Sequence, residues 1–192
     1  MTDITPLLPG QTAPDLTVPL TGGGEWRLHG RAPRTLLLVY VYRGYHCGLC
    51  KTSLEEWNRR AGDLESLGVE ALFVSADSRE RAEKSAAEWE VGELTVGYGW
   101  DLAQARAWGL YISHAIKESE PDAFLEPAFF VLDADFKLHS HAVQSMPNAR
   151  PGVDAIIEAM TYVIEKDYPP RGTVPFVEDA RGEVDMSAAA GG

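Results

Sequence analysis

An apolar run, Thr35-Leu36-Leu37-Leu38-Val39-Tyr40-Val41-Tyr42, followed five residues on by Cys47-Gly48-Leu49-Cys50, constrains this chain more than any other feature. A run of that length with almost no polar residue reads as a central strand covered on both faces. From Cys47 onward the pattern is helical. Leu54, Trp57, Ala61 and Leu64 share one stripe, and Glu55, Glu56, Arg59 and Arg60 face away. A buried strand that feeds straight into a helix calls for a sheet with helices on both faces. The cysteines, the only two in the chain, then lie beyond the carboxyl end of a central strand, where open α/β sheets place their sites. With Cys47 at the N-cap, both sulfurs sit near unpaired backbone N–H groups and the positive end of the helix dipole. That setting lowers a thiol's pKa, and the thiolate is the reactive form.

The 192 residues make about one domain of ordinary size, and the formal net charge of −12 repels phosphate backbones, which argues against nucleic acid as a partner. No stretch is apolar for long enough to span a bilayer. Met1-Thr2-Asp3-Ile4-Thr5-Pro6 lacks the basic and apolar regions of an export signal, so a cytoplasmic protein is expected. In that compartment a lone C-x-x-C in a βαβ context is redox-active more often than structural.

The remaining chain reads as β-α-β-α-β, a short helix, then β-β-α. Short strands around Leu16–Val18 and Trp26–Leu28 flank Gly22-Gly23-Gly24 as an N-terminal hairpin. Val69–Ser75 is a strand, and Asp77 with Glu80 three residues later marks a helix N-cap. A strand near Leu94–Gly97 and a helix after Asp101 follow. Residues 109–126 read as a long irregular connection, and such loops are often functional. Phe129–Asp133 and Phe136–Ala142 are adjacent strands, and Pro151 opens a last helix at its N1 position. Residues 1–168 thus form a single domain, and 169–192 a loosely ordered tail.

Four segments in this order resemble the peroxiredoxin-like (AhpC/TSA) branch of the thioredoxin superfamily: Gly10-Gln11-Thr12-Ala13-Pro14-Asp15-Leu16, Tyr42–Lys51, Val74-Ser75-Ala76-Asp77-Ser78, and Glu126–Asp133. The second is similar to F-R-G-x-x-C-P-x-C-R, and the fourth to the strand on which thioredoxin-fold proteins carry a cis-proline. The resemblance implies a thioredoxin-like α/β fold, a central mixed sheet flanked by helices with the N-terminal hairpin as an extension. It also implies that Cys47 and Cys50 cycle between dithiol and disulfide to reduce peroxides or protein disulfides, with an external thiol of thioredoxin or glutathione type as reductant. Many relatives dimerise, so a homodimer is one expectation.

The chain departs from the family at informative positions. Cys47 stands where peroxiredoxins carry the threonine of T-x-x-C, Cys50 takes the peroxidatic place, and Pro127 occupies the position of the thiolate-binding arginine. Locally the site is nearer to thioredoxin's C-G-P-C-K, with Leu49 for proline. Peroxide therefore points to Cys50 as the attacking sulfur and disulfide to Cys47. A disulfide reductase without peroxidase activity and a non-catalytic binding module are the alternatives.

Around the cysteines, His46 is expected to exchange a proton with a sulfur or, when charged, to steady a thiolate. Arg43 is expected to add fixed positive charge, and Tyr45 to line the pocket. Pro127, by the family comparison, turns a backbone N–H and C=O toward the sulfurs so that a substrate strand pairs there. No cofactor is expected. No metal is expected either: His139 and His141, two apart in a strand, lack the spacing of a zinc finger's histidines. Trp57 and Trp108 are assigned to the core, and Lys51 to solvent.

Overall fold

The computed structural model describes residues 6–174. The elements in chain order are β1 (Thr17–Pro19), β2 (Glu25–Arg27), β3 (Leu37–Val41), α1 (Gly48–Arg59), α2 (Ala61–Leu67), β4 (Glu70–Val74), α3 (Arg79–Glu88), β5 (Val96–Gly97), α4 (Leu102–Ala107), β6 (Ile112–His114), β7 (Ala123–Leu125), β8 (Ala128–Leu132), β9 (Leu138–Val143) and α5 (Val153–Lys166). Five strands make a mixed sheet in the order β5-β4-β3-β8-β9. β3 pairs in parallel with β4 and antiparallel with β8, so it is the line at which strand direction switches. This is the thioredoxin-like α/β fold that the sequence motifs imply.

β3 is buried along its whole length, and its alternating side chains feed two separate cores. Leu37, Val39 and Val41 pack with β1, β2 and α4 through Val18, Trp26, Ala105 and Trp108. Leu38, Tyr40 and Tyr42 pack with α1 and α5 through Cys50, Leu54, Trp57, Ile156 and Met160. Trp57 and Trp108 are core residues, at 0% and 1% exposure. No helix among the described residues is long and apolar enough to cross a membrane.

Four expectations change. The N-cap of α3 is Ser78, which accepts from the Arg81 N–H, because the neighbouring Asp77 carboxylate is turned inward. α5 starts at Val153 behind the N-cap Gly152. Pro151 lies before that cap rather than at N1. The helix read from Cys47 onward breaks at Arg60, which caps α1 and opens α2. The connection over 109–126 is not irregular throughout, since Ile112–His114 and Ala123–Leu125 pair as an antiparallel hairpin. Each of these strands has three residues, too few to show a period. The expected tail begins within the described residues at Pro169; its remainder, from 175 on, lies outside them.

Candidate active site

Gly44 builds the approach to the cysteines. It adopts φ +123, in the region where only glycine is unstrained. A Cβ there would also stand 2.5 Å from the Asp77 Oδ1. Its carbonyl accepts the Cys47 N–H at 3.1 Å, which turns the chain from β3 into α1. Cys47 is the N-cap residue, with its backbone extended (φ −102, ψ 102) and its carbonyl accepting from Cys50 N and Lys51 N. Cys50 lies in the first helical turn, on the buried side. Both are free thiols.

The pair is asymmetric. Cys47 retains 5% exposure and Cys50 none. Hydrogen bonding to the neighbouring Cys50 thiol leads the effects that pull the Cys47 thiol down to about 5. Burial opposes the shift; the nearby Cys50 backbone N–H and the charges of Arg150 and Arg43 assist it. Burial, followed by the same hydrogen bond, pushes Cys50 well above the ordinary thiol range. The two shifts run in opposite directions, so of the pair Cys47 is the sulfur that loses its proton more readily.

The Cys50 sulfur has its own partners. The Arg43 backbone N–H donates to it at 3.4 Å, and both terminal nitrogens of Arg150 reach it at 3.6 Å. Arg150 is itself aimed by its Nε–H, which donates to the Pro147 carbonyl at 2.9 Å. The sequence reading missed this arginine. It lies 100 positions from Cys50, on the segment that leads into α5, and no local motif marks it. The segment before α5 therefore supplies an arginine at the Cys50 sulfur although Pro127 stands where the family carries one.

The other expected site residues are distributed as follows. The Arg43 guanidinium points away from the sulfurs, pairing with Glu120 at 3.6 Å and Glu126 at 3.5 Å and lying over the Phe124 ring at 4.6 Å. Its positive charge still reaches Cys47. The Tyr45 ring stacks on Trp89, its hydroxyl donates to Glu88, and its backbone N–H donates to Asp77 at 2.7 Å. The His46 ring packs on Phe124 with centroids 4.7 Å apart. Burial, then the charges of Arg43 and Arg81, press its pKa down to about 4. This setting favours the neutral imidazole over the charged form expected to steady a thiolate.

Pro127 departs further from expectation. The described residues contain no cis peptide bond, so the family's cis-proline is absent here. The Pro127 carbonyl accepts from Gln144, and the Glu126 N–H donates to the Tyr111 carbonyl. The Pro127 carbonyl, expected to face a substrate strand, is thus already engaged by the residue that follows β9. Lys51 pairs with Glu55 on the surface, as a solvated residue does. The His139 Nε2 lies 2.8 Å from the Tyr168 carbonyl, and the His141 ring stacks on Phe130.

An ionised N-cap cysteine, a second cysteine one turn on, and a thioredoxin-like sheet beneath them define a protein built for thiol chemistry. The AhpC/TSA family model matches residues 9–141, and the chain belongs to the AhpC/TSA family of thiol-dependent oxidoreductases. Among solved structures, reduced 2-Cys peroxiredoxin from Plasmodium vivax is similar at TM-score 0.69 and 16% identity, covering 93% of this chain and 92% of its own. A peroxiredoxin-like protein from Aquifex aeolicus gives 0.68 and 18%, covering 83% and 90%. Bacterioferritin comigratory protein from Xanthomonas campestris gives 0.65 and 22%, covering 84% and 98%. At these identities the likeness is one of fold. No curated protein matches the chain.

Proposed function

We propose that the protein reduces a hydroperoxide with Cys47 as the attacking sulfur and Cys50 as the resolving one. The observation that carries this reading is the placement of Cys47 as the N-cap of α1, 5% exposed where Cys50 is wholly buried, a setting in which its thiol is drawn down to about 5. Such a nucleophile is strong at neutral pH and open to a substrate with a small reacting head. The Cys47 thiolate attacks the terminal peroxide oxygen, forming an S–O bond as the O–O bond breaks. The departing alkoxide takes a proton, and Cys47 becomes a sulfenic acid. The charge that held the Cys50 proton is now gone. The Arg150 fork and the Arg43 N–H then favour the Cys50 thiolate, which attacks the Cys47 sulfur and expels hydroxide, released as water. The resulting Cys47–Cys50 disulfide is opened by an external thiol of thioredoxin or glutathione type.

A second reading is direct disulfide exchange at Cys47. The 47% exposed Leu49 beside it favours this, as an apolar contact for a polypeptide substrate. Turnover of Cys47→Ser and Cys50→Ser with hydrogen peroxide and with a model disulfide separates the two. The peroxide reading expects Cys47→Ser to be inactive, and Cys50→Ser to consume one equivalent of peroxide and stall as the sulfenic acid. Wild-type peroxide turnover in Cys47→Ser overturns it; turnover with the disulfide alone selects the second reading.

A further inference from the structure

We propose that Asp77 is a positioning residue of this site: its buried carboxylate fixes the Gly44–Tyr45 turn and thereby sets where Cys47 sits on the first turn of α1. The inference rests on Cys47 as the nucleophile and adds a residue that touches neither sulfur.

Asp77 is 3% exposed, and a buried carboxylate is costly unless its oxygens are used. Oδ2 accepts the Tyr45 N–H at 2.7 Å, and Oδ1 accepts from the Arg81 Nε at 3.2 Å. The Oδ1, Oδ2 and Cγ atoms lie 2.5 Å, 2.6 Å and 2.7 Å from where a Gly44 Cβ would be. The carboxylate thus fills the space left by the missing side chain and grips the next peptide. The consequence runs through one carbonyl, since Gly44 O accepts the Cys47 N–H. Rotating the Gly44–Tyr45 peptide releases that N–H and tilts the N-cap, and the N-cap is where the dipole and the Cys50 thiol act on the Cys47 sulfur.

A second strut starts at the same carboxylate. Arg81, held by Asp77, lies over the Tyr45 ring at 5.8 Å and donates to the Ser119 carbonyl at 3.3 Å. The next residue, Glu120, pairs with Arg43. Asp77 therefore ties the α3 end of the site to both the cysteine loop and the connection between β6 and β7. It occupies the place where the sequence pattern offered a helix cap, and the actual cap, Ser78, leaves it free for this task.

The test reads the pH profile of Cys47 alkylation by iodoacetamide, beside thermal melting. The groups acting on this sulfur are Cys50 on α1, Arg43 on the loop after β3, and Arg150 before α5. All of them are unchanged in the variants. Asp77→Ala is expected to raise the Cys47 midpoint by about one unit, a tenfold loss of thiolate below it. Asp77→Asn, which keeps an oxygen for the Tyr45 N–H, is expected to recover most of that shift even where its melting temperature stays low. An unmoved midpoint in Asp77→Ala overturns the proposal, as does an Asn variant shifted as far as the Ala variant, since charge and not grip would then be at work. Should Asp77→Ala not fold, Asp77→Glu pushes the same carboxylate one methylene further into Gly44. A displaced midpoint there supports the assignment and an unmoved one overturns it. Failure of the peroxide reading shows instead in Cys47→Ser turnover, whatever the Asp77 variants do.

Discussion

Two cysteines three positions apart are pushed in opposite directions here. Burial drives the Cys50 thiol up, whereas hydrogen bonding to Cys50 outweighs the partial burial of Cys47, at the lip, and draws its thiol down. Alkylation of reduced protein is therefore expected to titrate with a midpoint near 5, not near the ~8.5 of a free thiol. A midpoint near the free value would leave the non-catalytic alternative standing. Arg150→Met is expected to spare formation of the Cys47 sulfenic acid largely and to slow its conversion to disulfide about tenfold or more, because Cys50 loses the cation that favours its thiolate. Rapid mixing with peroxide, with a dimedone-type trap for the sulfenic acid, separates the steps. Arg150 was hidden from sequence because its relation to Cys50 exists only once α5 has packed on α1. Asp77 was visible but misread, since an Asp-Ser pair before a helix offers two caps and only burial decides between them. Cys47, Cys50, Arg43, Tyr45 and His46 read as a cluster because eight successive residues carry them, whereas the folded loop turns Arg43 to Glu120 and Glu126, Tyr45 to Trp89 and His46 to Phe124.

At the scale of an element, α1 both builds the core and activates the thiol. Its apolar side inserts Leu54 and Trp57 under the sheet, with Trp57 edge-on to Tyr40 and tilted against Phe73. Trp57→Ala is expected to cost about 3–5 kcal/mol, read from urea unfolding, since a large cavity opens between helix and sheet. Its first turn has a free Leu49 N–H beside the sulfurs. Leu49→Pro removes that donor at a position where proline is tolerated. The Cys47 midpoint is expected to rise by a few tenths of a unit to about one, the worth of one dipolar contact at a helix N-terminus. α1 was readable because its stripe is long and the strand before it wholly apolar. The hairpin of β6 and β7 was not, because three-residue strands are specified by their partners, Ser113 Oγ–H on Glu126 among them.

For the molecule as a whole, the thiol pair ties stability to pH. The Cys47 thiol ionises near 5 in the fold and at about 8.5 in an unfolded chain. Between those values the unfolded chain holds the extra proton, so stability from this group rises with pH, and it is lost as pH falls toward the folded value. Cys50 works the other way, its contribution declining as pH climbs past the unfolded thiol's value. The urea midpoint of reduced wild type, relative to Cys47→Ser, is expected to grow steadily from about pH 5 to about pH 8. A flat difference would show that Cys47 is not ionised in the fold.

β3 sends alternate side chains into two cores that share no residue. Closing the bond between Cys47 and Cys50, which both belong to one of these cores, is therefore expected to disturb that core and leave the other at rest. Amide exchange is expected to speed or slow along α1 and the start of α5 when the oxidant is added, while the amides around Trp26 and Trp108 keep their pace. The quiet hemisphere acts as a keel, holding the sheet steady while the thiol side is opened and closed with every turnover.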